Sequence, residues 1–114
     1  MSVTDWKHLT NTELNLAEDA RQAGNEGRAR VCARRAAGHI VGEYLRRSGI
    51  TIKSESALDR LRYLETYSKT SALTKVTVEH FLVHITPEHK LPIDADLIAE
   101  VELLARDLLG EELI

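Results

Sequence analysis

The sequence predicts an all-α protein, a compact five-helix up-and-down bundle in which residues 1–114 form a single domain. Three observations favour this fold class. The chain has only two prolines and six glycines among many Ala, Leu, Arg and Glu residues, which are good helix formers. Apolar residues recur at helical spacing in five segments separated by turn signals. A length of 114 residues suits one hydrophobic core and is too short for two.

The stretch from Gly27 to Arg47 predicts the central helix. Its apolar residues cover well over half of a helical wheel, and most of them are small. They are Ala29, Cys32, Ala33, Ala36, Ala37, Ile40, Val41, Tyr44 and Leu45. Gly38 and Gly42 add a shallow strip beside them, so neighbouring helices can approach closely. We therefore expect this helix to pack against partners on two sides, with Cys32 as a buried small hydrophobe.

The first helix has two candidate starts. Thr10 followed by Glu13 fits a capping box, whereas apolar spacing that begins at Trp6 favours an early start near Thr4. We expect the early or a kinked start. The Gly- and Asn-containing turn after Ala23 is so short that the first two helices must be antiparallel neighbours.

The middle of the chain predicts two further helices. Ser56 is a candidate N-cap for a short third helix that reaches about Tyr67. Residues 73–85 are ambiguous, because alternation around Val76 fits a strand and the spacing of Val78 with later apolar residues fits a helix. A lone strand would have no partner, and the sequence therefore favours a helix.

The last helix is expected to begin after Asp94 as its N-cap and to end at Gly110. Pro87 and Pro92 bracket the connector before it, which cannot be regular helix throughout. Leu103 falls opposite the apolar stripe of this helix. An isolated exposed leucine needs no explanation, but together with other exposed apolar residues it would mark a dimer contact.

Charge is distributed unevenly along the chain. Residues 21–53 hold eight Arg or Lys and two Glu, whereas the remaining residues hold seven basic and sixteen acidic side chains. This polarity could steer an anionic partner to the second helix, pair one subunit with another, or be an ordinary solvated surface. The overall pI near 5.9 argues against a dedicated DNA binder.

The sequence also predicts where the protein works. No apolar run approaches the ~20 residues of a membrane span, and the N-terminus lacks the basic and apolar regions of a signal peptide. The lone Cys32 cannot form an internal disulfide, which fits a reducing compartment. We expect a cytoplasmic protein that does not enter membranes.

Residues 16–49 resemble the first hairpin of the HEPN superfamily, with an Ala-rich helix, a Gly-Asn turn, and a second Ala-rich helix ending in a basic cluster before a glycine. The matching positions are Ala17, Ala20, Gly24, Asn25, Ala29, Ala33, Ala36, Ala37, Leu45 and Gly49. The resemblance implies a four- or five-helix bundle that is often dimeric. It places the chain beside toxin ribonucleases, nucleotidyltransferase partners and many inactive members.

The superfamily's ribonuclease signature is an Arg followed, after four to six residues, by a His. Arg34 and His39 match this spacing, but they lie in the second helix and not near the start of a later one. Five positions along a continuous helix leave the two side chains about 140° apart, so they cannot converge on one phosphate. The sequence therefore favours a non-catalytic protein.

A basic stripe on the second helix is the candidate binding site. It consists of Arg28, Arg35, His39 and Arg46, and the guanidinium groups of its three arginines suit phosphates and carboxylates. The stripe lacks interleaved aromatic residues for base stacking. The alternative is a solvated face or a set of ion pairs to the acidic last helix.

His80 and His84 form a weaker candidate pair for a metal site. Their i,i+4 spacing lets two imidazoles share a metal ion, but the segment lacks the glutamate of an HExxH motif. We favour a surface pair that binds nothing, and we expect no metal or other cofactor.

These observations predict a non-catalytic helical interaction module of HEPN-like type. We expect a homodimer that acts beside a nucleotide-handling protein such as a nucleotidyltransferase. The alternative is a nucleotide- or RNA-binding domain, or a weak ribonuclease, that uses the basic face of the second helix.

Overall fold

The structure, a computed structural model, describes residues 5–52, 54, 56–67, 70–82 and 96–113. These residues form five α-helices and no strand. The helices are α1 (Asp5–Gln22), α2 (Glu26–Arg47), α3 (Ala57–Thr66), α4 (Ala72–Leu82) and α5 (Leu97–Leu109). The predicted all-α class and helix number are confirmed for this part of the chain, and the HEPN-like subtype stays a prediction.

Helix α2 lies at the centre of the bundle, as its wide apolar surface predicts. It packs most extensively against α1 and also contacts α3 and α5. Its alanines Ala29, Ala33, Ala36 and Ala37 are fully buried, as is Cys32. Because these side chains are short, neighbouring helices lie close to the α2 backbone.

Helix α1 takes the early start. It begins at Asp5, and Trp6 is buried in the core from the first turn. Thr10 lies inside the helix, where its buried hydroxyl donates to the Trp6 carbonyl oxygen at 2.6 Å. The alternative that made Thr10 an N-cap with Glu13 is therefore wrong, because burial of Trp6 requires the extra turn.

The predicted boundaries of α2 and α3 agree closely with the structure. Asn25 caps α2, and its side-chain oxygen accepts from the backbone N–H of Arg28 at 3.1 Å. Helix α2 starts at Glu26, one residue before the predicted Gly27. Ser56 caps α3 as predicted.

Helix α4 resolves the ambiguous segment, and its inward residues Val78 and Phe81 are fully buried. Residues 83–85 lie outside the described residues, as do both prolines of the connector. The predicted N-cap Asp94 is wrong, because Asp96 caps α5 with its side chain. Leu97 enters the core as the first helical residue, so the cap must stand directly before it.

A network of charged side chains fastens the end of α2 to the residues after α5. The buried carboxylate of Glu43 accepts from Arg46 and Arg47 at 2.6–2.8 Å. Arg47 also bonds Glu111 at 2.6 Å, and Lys7 of α1 lies 3.5 Å from the same carboxylate. Three separate parts of the chain are thus joined through Arg47 and Glu111.

Candidate functional site

The predicted basic stripe does not form a single site. Arg28 is exposed near the start of α2, seven residues and about 10 Å of helix before Arg35. Arg46, at the other end, is held by the carboxylate of Glu43. Only Arg35 and His39 of the four lie together, and both line one surface cavity.

This α1–α2–α3 cavity has a volume of about 320 Å³. Its lining residues come from three helices and from the cap of α3. They are Glu13, Arg35, Gly38, His39, Ser56, Ala57 and Arg60. The first turn of α3 therefore faces the same space as the two basic residues of α2.

The glycine strip of α2 explains how α3 reaches this position. A Cβ atom on Gly38 would lie 2.6 Å from the Cβ of Ala57, so glycine is needed for the close approach of α3. Gly42 leaves room for the guanidinium of Arg60, whose Nη1 donates to the Gly38 carbonyl oxygen at 3.2 Å. The strip thus positions Arg60 at the cavity.

The charged groups of the cavity differ in whether they have a hydrogen-bond or ion-pair partner. Arg35 is exposed and makes no ion pair or hydrogen bond with another described residue. Burial lowers the pKa of His39, the carboxylate of Glu13 opposes this shift, and the charge of Arg60 reinforces it. The imidazole is therefore neutral at pH 7. The Oε2 atom of Glu13 is buried and has no hydrogen-bond partner among the described residues.

The cavity suits binding more than bond cleavage. It presents guanidinium donors from Arg35 and Arg60 beside the acceptor oxygens of Glu13. Ser56 supplies the one hydroxyl among the lining residues, and this hydroxyl accepts from the backbone N–H of Asp59 as a helix cap. Such a set can hold an anion together with a hydrogen-bond donor.

The ribonuclease-like pair is split between two sides of α2. Arg34 points to α4, where its Nε donates to the Phe81 carbonyl oxygen at 2.8 Å. Burial lowers the pKa of its guanidinium. His39 instead lines the cavity beside α1 and α3. The structure therefore gives Arg34 a role in packing α4 onto α2.

Of the candidate metal pair, the structure describes only His80. Its Nδ1 lies 2.5 Å from Oε1 of Glu100 on α5. His84 lies outside the described residues. Within the described part of the chain, no three His, Cys, Asp or Glu side chains are grouped so that they could hold a metal ion.

A second surface lies on α4 and α5. The two helices are antiparallel, because His80 bonds Glu100 near one end and the Thr74 hydroxyl donates to Asp107 near the other. The surface between these two contacts was only partly predictable from the sequence, in which Leu103 was the one residue that stood out.

Three exposed apolar side chains share this surface, which we term the α4–α5 face. Leu73 and Val76 lie seven and four residues before His80, on the same side of α4. Leu103 lies three residues after Glu100, on the side of α5 that meets α4. Their exposed fractions are 65% for Leu73, 48% for Val76 and 47% for Leu103. Leu103 therefore does join other exposed apolar residues.

Comparisons complete the description of the chain. Among the described residues, no helix has the length and apolar character needed to cross a membrane. Searches of family models, of curated proteins and of solved structures found no match to this chain.

Proposed function

We propose that this protein is a non-catalytic helical interaction module that forms a homodimer through the α4–α5 face. The observation that carries the proposal is the clustering of Leu73, Val76 and Leu103, all of them largely exposed, on one side of two packed helices. Contiguous exposed apolar side chains on a soluble domain mark contact surfaces.

The charges around the α4–α5 face favour a second copy of the same chain as the occupant. Arg106 follows Leu103 by three residues on the same side of α5 and lies at the end of the face near the contact between Thr74 and Asp107. Glu79 follows Val76 by three residues on the same side of α4 and lies at the opposite end, near the contact between His80 and Glu100. The face is therefore basic at one end and acidic at the other, with apolar side chains between the two ends.

This pattern selects one two-fold arrangement. If the two-fold axis lies across the helices, α4 packs antiparallel on α4 of the second copy, and Arg106 lies at the same end of the contact as Glu79 of the second copy. If the axis lies along the helices, the basic ends of both copies meet and repel each other. We therefore infer the antiparallel dimer.

The size of the face sets the expected affinity. A helix of 11 residues such as α4 is about 17 Å long, and two packed helices are about 20 Å wide. Each copy then buries roughly 350 Å², and a pair of copies buries well below the ~1,200 Å² typical of stable complexes. We expect a weak, reversible dimer whose population depends on concentration.

Sedimentation velocity across a concentration series tests the dimer. The wild-type chain should shift from monomer to dimer between about 10 µM and about 1 mM. Val76→Asp or Leu103→Asp should abolish the shift, since a carboxylate would be buried in the contact. Leu9→Asp is the matched control, because Leu9 on α1 is comparably exposed at 42% but lies outside the face.

A charge exchange tests the orientation. Arg106→Glu alone should weaken association, and the double variant Arg106→Glu, Glu79→Lys should restore it, because opposite charges then meet again at each end of the contact. A strictly monomeric wild-type chain would overturn the proposal. If the Leu103→Asp variant dimerises like the wild type, the contact lies on another surface.

The resemblance of residues 16–49 to the HEPN superfamily adds a protein partner to the proposal. In that superfamily, such bundles include partners of nucleotidyltransferases, and we propose that this module acts beside a nucleotide-handling protein. Co-elution of the chain with a nucleotidyltransferase encoded by an adjacent gene would support this partner. Separate elution of the two proteins would contradict it.

A further inference from the structure

We propose that the α1–α2–α3 cavity binds a small phosphomonoester that also carries hydroxyl groups. The cavity lies on helices other than α4 and α5, so this site is independent of the proposed dimer contact. By chemistry, its lining residues divide into two halves: the cationic donors of Arg35 and Arg60, and the carboxylate of Glu13 with the neutral imidazole of His39.

Two guanidinium groups form the half that would hold the phosphate. Arg35 has no partner among the described residues, so its donors are available to a ligand. Arg60 gives one N–H to the Gly38 carbonyl oxygen, which fixes the orientation of its guanidinium at the cavity. Arginine forks of this kind bind phosphate oxygens through paired, charge-assisted hydrogen bonds.

The start of α3 adds to the same half. Ser56 and Ala57 line the cavity, and the first turn of the 10-residue helix carries about half a positive charge. Together with Arg35 and Arg60 this makes about 2.5 positive charges, and with the carboxylate of Glu13 the cavity has a net charge of about +1.5, which lies between the charges of a carboxylate and of a phosphate dianion in magnitude. Asp59 of the same turn does not line the cavity.

The other half supplies acceptors for hydroxyl groups. Oε2 of Glu13 is buried and lacks a hydrogen-bond partner among the described residues, a costly arrangement that a ligand hydroxyl would relieve after a small rotation of the side chain. The neutral imidazole of His39 can accept or donate beside it. An anion without a hydroxyl group would leave this carboxylate oxygen of Glu13 unpaired.

The surroundings favour a small molecule over a nucleic acid. The cavity volume of about 320 Å³ lies at the lower end of the range for small-molecule sites. Arg28 lies about 10 Å of helix away from Arg35, and Arg46 is bound to Glu43. Arg46 and Arg60 line a neighbouring surface pocket, but the guanidinium of Arg46 is engaged by Glu43, so α2 offers a phosphate backbone no continuous row of available arginines.

Titration of the ¹⁵N-labelled full chain, followed by amide chemical shifts, tests the site. The probes are ribose 5-phosphate, inorganic phosphate and ribose, each at constant ionic strength. Ribose 5-phosphate should shift amides of residues 35–39 and 56–60 and bind about tenfold more tightly than inorganic phosphate, while ribose alone should bind negligibly.

Two variants assign the halves of the cavity, and two more serve as controls. Arg35→Gln should weaken ribose 5-phosphate at least about tenfold, and Arg28→Gln, on the same helix but outside the cavity, should leave it unchanged. Glu13→Gln should remove the advantage of ribose 5-phosphate over inorganic phosphate. Leu103→Asp should bind ribose 5-phosphate like the wild type. The outcome of this test therefore does not depend on whether the chain dimerises. Circular dichroism checks that each variant is folded.

Several outcomes would overturn the proposal. Absence of shifts with about 10 mM ribose 5-phosphate would remove the site. Equal weakening by Arg28→Gln and Arg35→Gln would indicate non-specific attraction to α2. Tighter binding of a short single-stranded RNA, with losses in both Arg28→Gln and Arg46→Gln, would replace the small-molecule site by a nucleic-acid interface.

Discussion

The close contact between α2 and α3 leads to a prediction in which one substitution has different effects at two neighbouring glycines. Gly38→Ala would place a Cβ atom 2.6 Å from the Cβ and 2.8 Å from the Cα of Ala57, so α3 itself would have to move. Overpacking of this kind costs about 1–3 kcal/mol, and the better helix propensity of alanine returns about 0.5–1 kcal/mol. We expect Gly38→Ala to destabilise the fold by roughly 0.5–2 kcal/mol.

Gly42→Ala is the matched control on the same helix. The three atoms nearest to its Cβ atom would all belong to the guanidinium of Arg60, the closest being Nη1 at 2.6 Å, and this flexible side chain can move away. The propensity gain of about 0.5–1 kcal/mol is then offset by loss of the bond from Arg60 to the Gly38 carbonyl, worth about 0.5–1.5 kcal/mol. We expect a free energy of unfolding close to that of the wild type.

Urea denaturation followed by circular dichroism measures both variants. The two should differ by roughly 1 kcal/mol or more with unchanged m-values. A Gly38→Ala variant as stable as Gly42→Ala would refute the reasoning, because it would show that α3 does not lie against the backbone of α2 at Gly38.

Three further predictions concern the core and its charged contacts. Ala37→Leu should lower the free energy of unfolding in urea by about 1–3 kcal/mol, because Ala37 is fully buried against neighbouring helices. Hydrogen bonds from Arg46 hold the pKa of Glu43 below its usual 4.5, so this stabilisation is present above pH 4.5 and is lost as the pH falls through the lower folded value. Glu43→Gln should therefore show a shallower decline of the urea midpoint between about pH 6 and about pH 3. Arg34→Met should lower the thermal midpoint, since the Phe81 carbonyl loses a donor worth about 1–2 kcal/mol.

The fold was largely predictable because α2 carries an unusually clear pattern. A wide apolar surface of small residues requires neighbours on more than one side, and the structure supplies α1, α3 and α5. The i,i+4 glycines indicated close helix approach, and Gly38 is where α3 makes that approach. These features depend only on helix geometry and side-chain volume.

Helix boundaries were less predictable, because local capping patterns compete with burial. Thr10 has the residue type and spacing of an N-cap, but the burial of Trp6 carries the helix further back. Asp94 and Asp96 are equivalent as caps in the sequence. Burial of Leu97 selects Asp96, and that burial is a property of the whole bundle.

The candidate site was predicted only in part, since it combines residues from separate helices. Arg35 and His39 share a stripe of α2, so the sequence indicates both. Arg60 and Glu13 reach the cavity through tertiary packing, and neither has a local signal beyond the glycine strip beneath Arg60. Likewise, Val76 joins Leu103 only because α4 and α5 are antiparallel.

The central position of α2 implies a hierarchy of local stability. Three helices shield α2, so its amide hydrogens should exchange with solvent only through global unfolding. Helix α4 packs mainly on α3 and α5 at the periphery, and it can open while the rest of the bundle persists. A contact through the α4–α5 face would therefore slow amide exchange in α4 far more than in α2. Self-association would stabilise α4 against local opening.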